Sequence, residues 1–173
     1  MGPTGASLLD HVEGECELIL GLLDRIPGSQ QDWRPDWPSV AGRPPFSCRK
    51  LAWHLADSFS GFCAAFLRLH PEKLSHFTEL RQRLESTRAR ADVLEARGLL
   101  ESCRDHLRQA FAITDDDDFV RTVPTFFEPE GKPFLSILLV NLTHVTHHKF
   151  QLFIYLKMLG VDVSTPDLFR IRT

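Results

Sequence analysis

The sequence lacks several features that would place the protein in a large functional class. Its 20 basic and 23 acidic residues give a net charge of −3, so no excess of positive charge is present to attract nucleic acid or an anionic lipid surface. The longest apolar run, FLSILLVNL, falls far short of the ~20 residues that a membrane-spanning helix needs. We therefore expect neither a nucleic-acid partner nor a membrane partner.

Signals for secretion and disulfide bonding are also missing. The first residues, MGPTGASLLDHVEGE, have no basic segment ahead of an apolar one, so they do not resemble a secretory signal. None of the four cysteines forms a Cys-x-x-Cys pair; they are Cys16, Cys48, Cys63 and Cys103. Scattered cysteines of this kind are typical of reduced, buried thiols. The expected location is therefore the cytoplasm.

The sequence does contain helical periodicity over most of its length. With 173 residues, 43% of them apolar, we expect a single domain over residues 1–173 with a substantial core. Apolar residues recur at steps of three and four, which predicts long helices over about 7–26, 47–70, 91–113 and 133–159. A short, exposed helix is predicted over the polar segment 76–87. Neither a strand pair nor a repeat is evident, so the sequence predicts an all-α protein, a four-helix bundle.

Several helix ends and connections can be assigned from local residues. The predicted caps are Ser7 with Asp10 before the first helix, Ser47 before the second and Gly160 after the last. Residues 27–46 hold five prolines and two tryptophans, which indicates an ordered, packed connection that is not a helix. The run Asp115–Asp118 is expected to be a solvated loop, because it lacks the alternating ligands and closing glutamate of a calcium loop.

A polar seam runs along the last predicted helix, which is otherwise largely apolar. Its members are separated by three, four, three and four residues: Asn141, His144, His148, Gln151 and Tyr155. At this spacing they share an arc of roughly 80° on the helix surface. Buried polar groups cost a few kcal/mol each unless they have partners, so a shared partner is expected.

Three histidines in two helices form a candidate metal site. His144 and His148 have the i, i+4 spacing that directs two imidazoles to one point above a helix. His54, on the inward face of the second helix in KLAWHLADSF, is the candidate third ligand. Three nitrogen ligands leave coordination positions open, as in catalytic metal sites. Asp57 is a candidate outer acceptor for an imidazole. His147 is rotated about 100° from His148, so it is expected among the outer partners of the site or at its rim and not as a third ligand.

A bundle without metal remains an alternative at this point. A single inward histidine is usually a hydrogen-bonded core residue, and His54 alone would be read in that way. His11 lies beside the apolar face of the first helix and is a candidate pocket residue. The other histidines are expected to be surface or local packing residues; they are His70, His76 and His106.

Several segments resemble the DinB/YfiT-like superfamily of damage-inducible bacterial proteins. DWRPDWPS is similar to its Trp-x-Pro connection, and KLAWHLADSF is similar to its second-helix block with a metal-binding histidine. HVTHHKFQLFIYLKMLGVDV, followed by TPDLF, resembles its closing H-x-x-H-H-x-x-Q motif and Y-L-x-x-x-G ending. The resemblance covers most of the chain in order; it is most specific over residues 141–169 and looser over 72–133.

The resemblance implies an up-down-down-up four-helix bundle that is often a homodimer. It also implies a divalent metal ion, zinc or nickel before manganese or iron, bound by His54, His144 and His148. Some members of the family are metal-dependent transferases or isomerases that use low-molecular-weight thiols. This chain has Val145 where an acidic residue is common and Lys149–Phe150 where Arg-Gly is common, changes that leave the ligands intact.

Two functions therefore stay open. The first is a metal-dependent enzyme of the thiol S-transferase or hydrolase type, in which the metal lowers the pKa of a bound water or thiol. The second is a non-catalytic, metal-stabilised helical binding protein, whose site would be closed by a fourth ligand such as Asp57 or His147. The homodimer that the resemblance implies fits the last helix, whose apolar residues exceed what one bundle must bury, among them Phe134, Leu138, Phe150 and Phe153.

Overall fold

The computed structural model describes residues 1–88, 92–125 and 128–170. These residues form five α-helices: α1 (Pro3–Leu23), α2 (Cys48–Leu69), α3 (Phe77–Thr87), α4 (Val93–Ala112) and α5 (Phe134–Met158). The predicted helical fold is confirmed, but the absence of strand pairing is not. Two short antiparallel strands, β1 (Thr122–Val123) and β2 (Lys132–Pro133), pair with Thr122 opposite Pro133. Three 3-10 turns complete the described structure, at Gly28–Gln30, Asp116–Val120 and Thr165–Asp167.

The four long helices pack around one hydrophobic core. Both α1 and α2 lie against α4 and α5, so each long helix contributes a buried face. The four cysteines are buried and free, as predicted. Among the described helices, none has both the length and the apolarity that crossing a membrane requires.

The start of α1 differs from the prediction, because its cap comes from a distant part of the chain. The helix begins at Pro3, so the capping pair predicted to start at Ser7 is wrong. The backbone N–H groups of Thr4 and Gly5 each donate to the carboxylate of Asp116 at 3.3 Å. A carboxylate at this position satisfies free N–H groups and complements the helix dipole. The acidic run Asp115–Asp118 is therefore not only a solvated loop, because Asp116 caps the first helix.

Two other predicted helix ends are confirmed. The Ser47 hydroxyl accepts a hydrogen bond from the Lys50 N–H at 3.3 Å, which caps α2. Gly160 follows the end of α5 with a φ of +75°, the left-handed conformation that favours glycine after a helix. Because α2 and α5 have well-defined ends, the histidines in both helices lie inside regular helical structure.

The short helix α3 and the start of α4 differ from the predictions. One face of α3 is buried rather than exposed, through Phe77, Leu80 and Leu84. In the first turn of α4, Leu94 is 75% exposed, although most apolar residues of this helix are buried. The Asp92 carboxylate caps α4 by accepting from the Glu95 N–H at 2.7 Å. The start predicted at residue 91 lies just outside the described residues.

The apolar residues of α5 do not form the surface that the sequence indicated. Phe134 and Leu138 are fully buried in the core of the same chain, and Phe153 is 8% exposed. Only Phe150 of the predicted four is exposed, at 52%. The prediction failed for the other three because they belong to the core of this chain, where Phe134 packs against Phe66 of α2 and against Phe119. The exposed apolar residues of α5 are instead Leu139, Val140, Phe150 and Met158.

The proline-rich connection between α1 and α2 packs against α5, as expected. The ring of Trp33 meets the ring of Tyr155 edge-on, with centroids 5.5 Å apart. Trp37 approaches the same tyrosine at 5.9 Å. The Trp33 carbonyl also accepts a hydrogen bond from the Cys48 N–H at 2.9 Å. This connection therefore covers the C-terminal part of the polar seam.

A buried lysine of α5 binds the tail, the described residues 159–170, to the bundle. Val163 and Leu168 are buried, whereas Phe169 is exposed. The Lys149 ammonium donates to Glu15 of α1 at 2.9 Å and to the Leu168 carbonyl at 2.6 Å. A single side chain of α5 thus holds both α1 and the tail.

Candidate metal centre

His54, His144 and His148 converge in the space between α2 and α5. The Nε2 atom of His54 lies 3.1 Å from Nε2 of His148 and 3.2 Å from Nε2 of His144. One nitrogen from each ring lies within 4.8 Å of the other two. Among the described residues, no other group of three potential metal ligands is so close together. The structure thus brings together the three side chains that the sequence selected, while metal binding itself stays a prediction.

Close packing of the two helices brings the rings into contact. His144 and His148 follow each other by one turn on α5, and His54 faces them from α2. One turn before His144, the Asn141 side-chain amide donates to the Ser58 carbonyl at 2.9 Å. A Cβ atom at Gly61 would lie 3.1 Å from Asn141 Oδ1, which is closer than ordinary contact. Glycine at this position therefore allows Asn141 to join α5 to α2 beside the histidines.

The donor set fits a divalent metal ion. Metal–nitrogen bonds of about 2.0–2.1 Å at tetrahedral angles place two ligand nitrogens roughly 3.3 Å apart. The observed separations of 3.1 and 3.2 Å are close to this value. A neutral imidazole nitrogen carries either one proton or one lone pair, so Nε2 of His54 can complete only one linear hydrogen bond with its two neighbours. A cation that accepts all three lone pairs would satisfy the three rings together.

The surroundings favour the neutral form of two of these imidazoles, those of His54 and His144. Burial, with smaller contributions from His148 and His144, lowers the pKa of His54 to about 4. Burial also lowers the pKa of His144, to which the nearby His148 and His147 contribute. Because a metal binds only unprotonated imidazole nitrogen, low pKa values favour metal binding at neutral pH.

Access to the three rings is uneven. The Phe46 ring packs 5.2 Å from the ring of His54 and 6.2 Å from that of His148. His54 and His148 are half-buried, whereas His144 is exposed to solvent. Phe46 was not predicted as a site residue; the only sequence signal was an aromatic side chain next to the Ser47 cap. The site therefore lies at the surface with an aromatic ring against one side.

The polar seam of α5 forms a connected chain of hydrogen bonds. The Nδ1 atom of His148 lies 2.9 Å from Oε1 of Gln151. The Gln151 amide nitrogen in turn donates to the Tyr155 hydroxyl at 3.0 Å. Tyr155 is fully buried, beneath the two tryptophans of the α1–α2 connection. The sequence predicted that these residues share a face, but not that they are linked in this order.

Three residues with open roles lie outside the histidine group. Asp57 is half-buried, and its pKa is raised, mainly by burial and in spite of the nearby Arg88. In the part of the chain that the structure describes, Asp57 makes no hydrogen bond to His54. Within the same residues, His147 does not belong to the group of potential metal ligands. His147 and His11 are both exposed, and His11 lies on α1. The geometry therefore provides three ligands rather than four.

Comparison with known proteins agrees with the fold and the motif. The sequence profile of the DinB superfamily matches residues 12–152, which include all three histidines. The crystal structure of YjoA, a DinB-like protein from Bacillus subtilis, superposes with a TM-score of 0.65 at 14% identity, covering 90% of this chain and 93% of that chain. At this identity the likeness concerns the fold alone. No curated protein matches the sequence. The resemblance noted in the sequence is thereby confirmed, and the chain belongs to the DinB superfamily.

Proposed function

We propose that His54, His144 and His148 bind one divalent metal ion. Zinc or nickel is the preferred ion, with manganese or iron as alternatives, because imidazole suits zinc, nickel and iron, whereas manganese favours oxygen ligands. The observation that carries the proposal is the convergence of three Nε2 atoms at separations of 3.1 and 3.2 Å from His54. Placement of all three on two packed helices keeps the ligands close to one another before a metal arrives.

We further propose that the protein is a metal-dependent enzyme, a transferase acting with a low-molecular-weight thiol or a hydrolase. Structural zinc sites usually have four protein ligands, whereas catalytic sites have three and an open position. Three histidines with one of them exposed correspond to the second arrangement. A divalent metal bound there supplies Lewis acidity, which lowers the pKa of a coordinated water or thiol. Phe46 shields one side of His54 and His148 from water, and Gln151 holds His148 in place.

The metal proposal is tested by elemental analysis of purified protein after reconstitution with zinc or nickel. Wild-type protein should contain one equivalent, and His54→Ala, His144→Ala and His148→Ala should each lose most of it. His147→Ala is the matched control, since this exposed neighbour lies outside the group and should retain the metal. Stoichiometric metal in all three variants would refute the site.

The enzymatic proposal is tested separately with the loaded protein. Transfer of thiols to electrophiles and hydrolysis of activated esters and amides should be assayed over panels of small substrates. Turnover that disappears in His54→Ala supports an enzyme. Turnover no higher than that of metal-free protein would favour the alternative, a metal-stabilised helical binding protein. That alternative expects a fourth protein ligand, and no described residue joins the three histidines.

Several finer statements about the molecule are proposals as well. We propose an up-down-down-up order for the four long helices, a single domain over residues 1–173 and a cytoplasmic location. A homodimer is supported by the exposed apolar residues of α5, namely Leu139, Val140, Phe150 and Met158. Apolar side chains exposed along one helix are what an interface between two copies would cover. Size measurement in solution should give a dimer that Phe150→Asp converts to a monomer.

A further inference from the structure

We propose that Gln151 and Tyr155 are positioning residues that fix the tautomer of His148 and so direct its Nε2 lone pair at the metal. The inference rests on the proposed metal site, but its first consequence can be observed in metal-free protein. Neither residue contributes an atom to the histidine group itself. Their effect on the site is therefore indirect, through the orientation of one ligand.

The tautomer follows from the hydrogen bond between His148 and Gln151. A neutral imidazole carries its proton on one of its two nitrogens. The Nδ1 atom of His148 lies 2.9 Å from Oε1 of Gln151. Because an amide oxygen can only accept, the proton must be on Nδ1 of His148. The Nε2 atom then carries the lone pair, and this is the atom that lies 3.1 Å from His54.

Tyr155 holds the other end of the same amide. The Gln151 Nε2 group donates to the Tyr155 hydroxyl at 3.0 Å, so the amide is bound at both its oxygen and its nitrogen. Tyr155 has no exposed surface, and the rings of Trp33 and Trp37 contact it edge-on at 5.5 and 5.9 Å. The tyrosine therefore cannot swing away from Gln151 without disturbing this packing. A metal ligand is thus connected, through two side chains, to the α1–α2 connection.

The three histidines differ in the hydrogen bonding of their Nδ1 atoms. Among the described residues, no hydrogen bond is made by Nδ1 of His54 or of His144. Of the three rings, only that of His148 has an acceptor at Nδ1 among the described residues. Outer partners of this kind fix ring orientation in metal sites, and their loss typically lowers metal affinity 10–100-fold. Substitution of Gln151 should therefore act on His148 directly, and on His54 only through the 3.1 Å contact between the two Nε2 atoms.

The first experiment observes the tautomer directly. Protein with ¹⁵N-labelled histidine, stripped of metal with a chelator, is examined by long-range ¹H–¹⁵N correlation, and His148 is assigned from its loss in His148→Gln. Wild type should show the Nδ1–H form at His148. Gln151→Glu, which keeps an acceptor, should retain that form, and Gln151→Leu should show a mixture of both. An Nε2–H form in wild type, or no change in Gln151→Leu, would overturn the proposal.

The second experiment measures affinity for zinc by competition with a chelating dye. Gln151→Leu should bind about 10–100-fold more weakly than wild type, and Gln151→Glu should stay near wild type or bind more tightly. Tyr155→Phe should show a smaller loss, because the amide keeps its bond to His148 but loses its anchor. His147→Gln should have no effect, and circular dichroism of each variant confirms that it is folded.

The two experiments separate the two proposals. Failure of wild-type protein to bind any metal would refute the metal site, while the tautomer of His148 would still be tested by the first experiment. Equal metal affinity of wild type and folded Gln151→Leu would refute the positioning role and leave the metal site standing. Loss of affinity in Gln151→Leu that Gln151→Glu does not restore would show that packing, not the hydrogen bond, is responsible.

Discussion

Lys149→Met should lower the free energy of unfolding by about 2–3 kcal/mol. The Lys149 side chain is 2% exposed and donates to Glu15 at 2.9 Å and to the Leu168 carbonyl at 2.6 Å. Hydrogen bonds to charged groups contribute about 1.5–3 kcal/mol each, but burying the ammonium has a desolvation cost that methionine does not have. Glu15 is 19% exposed and so can recover part of its solvation when the lysine is gone.

Chemical and thermal denaturation measure this loss. For a chain of this size, each kcal/mol corresponds to about 2–4 °C, so Tm should fall by about 4–12 °C. Lys157→Met, at an exposed position on the same helix, is the matched control and should change stability by less than about 0.5 kcal/mol. In a double-mutant cycle, Glu15→Gln should cost less in the Lys149→Met background than in wild type. A Lys149→Met protein as stable as the control, or strictly additive effects, would refute the role of this pair.

Three further predictions follow from the fold and the site. Metal-free protein should lose stability as pH falls from about 6.5 towards 4, because His54 takes up a proton in the unfolded chain but not in the folded one, where its pKa is about 4. Urea denaturation of His54→Gln should show a weaker dependence of stability on pH, and a dependence equal to that of wild type would contradict this. Asp116→Ala should destabilise the protein by about 1 kcal/mol and increase amide exchange in the first turn of α1, whereas protection equal to wild type would exclude the capping role. Gly61→Ala should weaken zinc binding by forcing Asn141 away from α2, and unchanged affinity in the chelator competition would show that this contact does not set the helix spacing.

The long helices were predictable because their signal is local. Apolar residues at steps of three and four mark the buried faces of α1, α2, α4 and α5, and short-range caps such as Ser47 mark some of their ends. The start of α1 was missed because its cap, Asp116, is more than a hundred residues away in sequence. The apolar residues of α5 were divided wrongly between core and surface for a similar reason. Which of them faces the core depends on how neighbouring helices and connections pack, and periodicity alone does not contain that information.

The sequence predicted which histidines form the candidate site, but not the side-chain contacts that surround them. The i, i+4 spacing of His144 and His148 is a property of one helix, and an inward-facing His54 completes the set. The contact of Phe46 with two of the rings depends on the path of an irregular segment. The hydrogen bonds that join Gln151 to His148 and to Tyr155 depend on side-chain rotamers that are fixed by packing. Neither leaves a periodic pattern in the sequence.

X-ray absorption spectroscopy of protein reconstituted with one equivalent of zinc tests the three-histidine site most directly. Three imidazole nitrogens are expected at about 2.0–2.1 Å, with a water oxygen in the remaining position. The same measurement on His54→Ala should show a lower imidazole count or no bound zinc. Sulfur ligands at about 2.3 Å, or an imidazole count that His54→Ala leaves unchanged, would contradict the site.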